Sequence, residues 1–118
     1  MKSKKSIIQS AIGTLALEAA AILNVAKNIN NDFEKVVSSI LRGKGRVIVT
    51  GIGKSAIRAQ KIVATFNSTG TPAIFMHAAD AIHGDLGMIQ QHDIVICLSK
   101  SGNTPEIKLL APLLKQSG

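Results

Sequence analysis

Arg46-Val47-Ile48-Val49-Thr50 runs directly into Gly51-Ile52-Gly53-Lys54-Ser55. The β-branched aliphatic run predicts a strand buried on both faces, as in the middle of a parallel sheet. The paired glycines predict a tight turn. Residues 54–68 then carry Ile57, Ile62, Val63 and Phe66 at spacings that predict a helix with these side chains inward. Strand, glycine turn and helix make one βα unit, and the same alternation repeats downstream. Gly70-Thr71-Pro72 is a turn and 73–76 a short strand. Residues 77–87 read as a loop with one helical turn, 93–98 as a third apolar strand, 99–103 as a loop and 104–115 as a helix. Strands alternating with helices predict an α/β fold, a three-layer sandwich around a parallel sheet.

Upstream, Ile8, Ile12, Leu15, Ala19, Ile22 and Ala26 recur at steps of four and three, which predicts an amphipathic helix over 6–28. Lys2, Lys4 and Lys5 followed by an apolar stretch and Ala19-Ala20-Ala21 imitate a signal peptide. Gln9 and Glu18 interrupt the stretch, however, so the expectation is a soluble helix and no membrane span. Asn30-Asn31-Asp32 breaks this helix, and Asn31 with Glu34 predicts a capped second helix over 32–42. The expected organisation is 1–44 as leading helices and 45–118 as the sheet-bearing part. Three strands are few for a parallel sheet, and an edge is left bare. The expectation is therefore a sheet truncated after its third strand and helix, or completed by another chain.

The 118 residues carry a net charge of +7, with 46% hydrophobic residues but only three Phe and no Tyr or Trp. The basic residues are scattered and no aromatics interleave with them, which argues against nucleic acid as a partner. The single cysteine, Cys97, excludes an intrachain disulfide and is expected to be a small buried hydrophobe rather than a nucleophile.

Three segments could carry chemistry. Ser99-Lys100-Ser101-Gly102-Asn103-Thr104 leaves a strand and opens a helix. Free N–H groups at a helix start attract anions, hydroxyls add donors without charge, and Gly102 admits close approach. Pro105 suits the first helical position. An ordinary Thr cap would explain Thr104 alone; the full set at a strand's carboxyl end fits phosphate better. Glu106, just inside that helix, is a favourable charge at its start and a candidate general base. Gly51-Ile52-Gly53-Lys54-Ser55-Ala56 resembles a dinucleotide fingerprint without the required acidic residue, and it is no Walker A loop. It reads as a loop presenting Lys54 to a polar ligand, or as a solvated first turn. His77, Asp80, His83 and Asp85 lie within nine residues. Their spacing fits no closed zinc pattern, and His83 could act as acid, base or ring-opening group. His92 reads as a loop residue.

Taken together, GIGKS at 51–55, HGDLGMI at 83–89 and SKSGNTPEI at 99–107 resemble the sugar isomerase (SIS) domain family, which has a flavodoxin- or Rossmann-like fold. Within it the motifs are most similar to those of D-arabinose 5-phosphate isomerases. The resemblance implies Lys54, Glu106 and His83 as catalytic residues. It implies Gly70, Thr71, His83, Ser99, Ser101, Gly102 and Thr104 as substrate contacts. It extends those contacts, with no chemistry visible in the residues themselves, through Leu109, Leu110, Ala111, Pro112, Leu113, Leu114, Lys115, Gln116, Ser117 and Gly118. It associates His77 with a divalent metal such as zinc, while no cofactor is required.

The implied reaction interconverts D-ribulose 5-phosphate and D-arabinose 5-phosphate through an enediolate, and its product feeds Kdo synthesis for bacterial lipopolysaccharide. The implied setting is a cytoplasmic homo-oligomer, tetrameric in full-length relatives. The family pattern places a further Glu and His beyond residue 118, which implies that these 118 residues alone are inactive. A non-catalytic sugar-phosphate sensor and an assembly-only partial domain are the alternatives.

Overall fold

A computed structural model describes residues 6–102 and 105–116, with the side chains of 85, 106, 107, 115 and 116 outside that description. The chain divides into two compact units between Ser38 and Ser39.

The first unit is dominated by helix α1 (Ile7–Ala26). Ser6 caps it reciprocally: its Oγ accepts from the Gln9 N–H at 3.0 Å, and its own N–H donates to Gln9 Oε1 at 3.2 Å. Every residue of α1 is exposed, including Ile7 at 88%. By length and composition alone, this helix could cross a bilayer. Helix α2 (Asn31–Arg42) follows. Its start corrects the expected cap. Asn30, not Asn31, takes that role, its Oδ1 accepting from the Asp32 N–H at 3.0 Å, so Asn31 already lies in the helix.

The second unit holds the sheet. Strands β1 (Val47–Gly51), β2 (Ala73–His77) and β3 (Ile94–Cys97) are all parallel, in the order β2-β1-β3. The central strand is buried along its whole length, which accounts for its unbroken apolar sequence. Val47 pairs with Ala73 and Ile94, Gly51 with His77, and Thr50 with Cys97. Helix α3 (Lys54–Ser68) links β1 to β2. Helix α4 (Ala78–Ile82) and a 3₁₀ turn (Asp85–Met88) follow β2, so the stretch expected to be mostly loop is mostly helical. Helix α5 (Pro105–Gln116) follows β3 and begins at the proline.

Two cores lie on opposite faces of the sheet. Val47, Val49, Ala59 and Ala73 form one, with Ile40, Ile62, Val63, Phe66 and Phe75 packed on it. Ile48, Met76, Ala78, Ala81 and Leu110 form the other, with Val95 and Leu114 beside them. Fully burying a side chain such as Ile48 stabilises the fold by about 1.5–3 kcal/mol. Ile57 does not join the α3 contact. It is exposed, because the inward row runs through Ala56 and Ala59, whose small side chains bring the helix against β1.

The amino edge of the sheet is tied by polar contacts. Asp93, whose side chain is 1% exposed, accepts from the Arg46 N–H at 2.9 Å, from Arg46 Nη2 at 2.7 Å and from the Gln90 N–H at 2.8 Å. Arg46 Nη2 also donates to the Met88 carbonyl at 2.8 Å. The bonds from Arg46 dominate in holding the Asp93 carboxyl down, at about 2. Asn67 binds β2 as a strand would: the Ala73 N–H donates to its Oδ1 at 2.8 Å, and its Nδ2 donates to the Ala73 carbonyl at 3.1 Å.

Candidate functional site

The loops after β1 and β3 leave adjacent strands in opposite directions. From β1 the chain turns into α3, which packs on one face; from β3 it reaches α5, whose Leu110 packs on the other. In open α/β sheets such a switch point leaves a crevice outside the carboxyl ends of the strands, where ligands bind. Gly51-Ile52-Gly53-Lys54 flanks it on one side and Leu98 through Gly102 on the other.

On the β1 side, Gly51 packs against the first turn of α3, where a Cβ would meet the Ser55 carbonyl carbon at 2.9 Å. Gly53 caps α3 at φ 60°, a conformation that a side chain disfavours. These two requirements set Lys54 as the first residue of the helix. It is exposed and forms no ion pair among the described residues. On the β3 side, the Leu98 N–H donates to the Thr50 carbonyl at 2.9 Å, which prolongs the ladder to the mouth of the crevice. Ser99 Oγ then accepts from the Gly102 N–H at 2.9 Å, and Gly102 has φ 73°. The side-chain bond curls the loop back on itself before α5 starts. Asn103 and Thr104 lie outside the described residues, as does the side chain of Glu106. The backbone of Glu106 is second in α5.

β2 delivers the remaining segment. His77 closes the strand in register with Gly51 and caps α4, and exposed His83 follows the last turn of α4. Lys54, His77, His83, Ser99, Ser101 and Gly102 therefore all follow or end strands at one edge of the sheet.

Other expected site residues do not join them. Gly70 and Thr71 precede β2, at the amino edge, where the adjacent Pro72 carbonyl accepts from the Val47 N–H at 2.9 Å. A five-residue strand separates the two edges by roughly 16 Å, so within one chain this turn is remote from the crevice. Leu110 is in the core at 0% exposure and is spent on packing, and Leu114 packs beside it. Leu109, Ala111 and Pro112 are exposed and Leu113 is half-buried. The side chains of Lys115 and Gln116, and all of Ser117 and Gly118, lie outside the described residues. Cys97 is exposed rather than buried, because it is the last residue of an edge strand. Its thiol is still partly desolvated, which pushes its pKa up and makes it a poor nucleophile.

One group under the crevice was not singled out from sequence. Thr50 is fully buried at the end of β1, and its hydroxyl has no hydrogen-bond partner among the described residues. A lone hydroxyl in an aliphatic run was its only signal.

Comparison with known proteins places this arrangement. The SIS domain family matches residues 40–118. Arabinose 5-phosphate isomerase KdsD of Pseudomonas aeruginosa is 48% identical over 118 residues, covering 100% of this chain and 36% of that protein. Arabinose 5-phosphate isomerase KpsF of Escherichia coli O6:H1 is 46% identical over 113 residues, covering 95% of this chain and 35% of that protein. An Escherichia coli CFT073 protein solved in complex with arabinose 5-phosphate superposes with a TM-score of 0.89 at 38% identity, over 100% of this chain and 62% of that one. The chain thus spans about a third of the length of the curated relatives it matches. The parallel sheet and the matched span agree with the three motifs, and the chain belongs to the SIS domain family.

Proposed function

We propose that this chain forms the phosphate-gripping part of an aldose–ketose sugar-phosphate isomerase that interconverts D-ribulose 5-phosphate and D-arabinose 5-phosphate. The observation that carries this reading is the pair of glycine-bearing loops flanking the switch point between β1 and β3, with Lys54 on one and Ser99, Ser101 and Gly102 on the other. The isomerases similar to this chain, and the structure solved with arabinose 5-phosphate, support it.

In this mechanism the phosphate is held by the Ser99–Gly102 loop, Thr104 and the start of α5, where N–H groups and the helix dipole favour an anion. His83 assists opening of the sugar ring. Glu106 removes the proton from C2 of the aldose to give an enediolate, a proton passes from O2 to O1, and return of the carbon-bound proton to C1 yields the ketose; the reverse path yields the aldose. A positioned base of this kind contributes about 10²–10⁴-fold. Lys54 stabilises the oxyanion. The proton and electron pair stay within one substrate, so no redox cofactor enters. The aldose, formed in the reverse direction, would supply Kdo synthesis in the cytoplasm. The exposed stripe of Ile8, Ile12, Leu15 and Ile22 on α1 supports a homo-oligomer in which a second copy covers it.

Calorimetric titration with D-arabinose 5-phosphate tests the grip. The double variant Ser101→Ala, Thr104→Ala is expected to bind at least tenfold more weakly, and undiminished binding would remove the loop from the site. Glu106→Gln separates binding from chemistry. In a preparation that carries the isomerase activity it should keep affinity and lose turnover by about 10²-fold or more, and unchanged turnover would exclude Glu106 as the base.

A further inference from the structure

His77 is the residue that the family resemblance associates with a divalent metal, and its hydrogen bonding conflicts with that role. Its backbone leaves β2 extended, at φ −70° and ψ 130°, and its Nδ1 accepts from the Ala79 N–H at 3.2 Å, capping α4. Only an unprotonated ring nitrogen accepts a hydrogen bond, so the neutral imidazole carries its proton on Nε2. A metal also binds at a lone pair. The ring's one available lone pair is directed at Ala79.

Ligation through Nε2 would move the proton to Nδ1. There it would face the Ala79 N–H, donor against donor, and the cap would be lost. The ring is further held by an edge-on contact with Phe75, with centroids 6.3 Å apart and planes at 84°. Among the described residues, no cluster of three or more His, Cys, Asp or Glu side chains could hold an ion with it. The described residues therefore do not fit a metal centre at His77.

We propose that His77 is a helix-capping residue locked in the Nε2–H tautomer, and that it does not ligate a metal. The cap fixes where α4 starts and hence where His83, which follows the last turn of that helix, emerges. The proposal stands whatever ligand the crevice takes.

The test is ring-nitrogen NMR of the ¹⁵N-labelled protein at mildly alkaline pH, with and without one equivalent of zinc ion. The expected spectrum has a pyridine-like Nδ1 and a pyrrole-like Nε2 for His77, neither moved by zinc. A protonated Nδ1, or a zinc-induced shift of either His77 nitrogen, overturns the proposal. Variants give a second reading. His77→Asn retains a good capping oxygen and should melt near the wild type, whereas His77→Ala should melt about 4–8 °C lower. Zinc should leave the difference between wild type and His77→Asn unchanged. If zinc raises the melting temperature of the wild type and of neither variant, His77 is a ligand and the proposal fails. Should His77→Ala not fold, the spectrum of the unaltered protein still decides.

Discussion

The two edges of the sheet are built on opposite terms. At the amino edge, polar groups are paired: Asp93 gathers Arg46 and the Gln90 N–H, Arg46 reaches the Met88 carbonyl, and Asn67 completes the start of β2. At the carboxyl edge, glycines shape the loops, Lys54 has no ion pair among the described residues, and the Thr50 hydroxyl is buried with no partner among them. Paired buried groups contribute stability, while an unpaired one costs it. The amino edge therefore holds the sheet together, whereas at the carboxyl edge Lys54 stands outside any ion pair among the described residues.

The sharpest way to break this contrast is Asp93→Ala. It strips partners from the Arg46 side chain and from two backbone N–H groups at once, and should cost about 3 kcal/mol in urea denaturation. Sugar-phosphate affinity, read at the other edge, should hold within about twofold, a free-energy change smaller than about 1 kcal/mol. A large loss of affinity with little loss of stability would reverse the assignment of the edges. The same residue sets a pH dependence. Its folded pKa of about 2 lies below the ordinary 3.8, so its stabilising effect is complete above about pH 4 and is lost as pH falls toward 2. Asp93→Asn should lack that part of the acid transition.

Asn67→Ala is the second and smaller test. It removes two hydrogen bonds to Ala73 and should cost about 1–2 kcal/mol. Asn67→Asp keeps an acceptor for the Ala73 N–H but loses the donor, so it should fall between wild type and Ala. Equal stability of all three would mean that β2 needs no closing partner at its start.

The contrast between the edges was only partly legible in the sequence. The alternation of apolar runs with helical spacings was enough for the βα units and the parallel sheet, because strand burial and helix periodicity are local properties. Pro105 at the first position of α5 was legible for the same reason. Strand order is not local. Nothing in the residues says that β1 lies between β2 and β3, and only that order creates the switch point beside Lys54 and Ser99. It also sends Gly70 and Thr71 to the far edge, although they stand only a few residues from His77 in the chain. Leu110 looked like its exposed neighbour Leu109 until the angle of α5 on the sheet was known. Asn30 and Asn31 are chemically the same cap, one residue apart, and only the backbone decides between them. Asp93 and Arg46 are ordinary strand-flanking charges in sequence, and parallel pairing of β1 with β3 is what makes them partners.

Thr50→Val makes the smallest change and tests the open edge directly. Valine matches threonine in shape and fits a central strand better. It also removes a buried hydroxyl that has no partner among the described residues. Leaving such a group unsatisfied costs about 1–3 kcal/mol, part of which valine should recover, so a gain of about 1 kcal/mol is expected. The urea midpoint should rise without a change in slope, since the surface exposed on unfolding is nearly the same. A loss of stability would mean that the hydroxyl already has a partner in solution, and the carboxyl edge would then be as closed as the amino edge. A gain would mean that the sheet carries a removable defect directly beneath its loops.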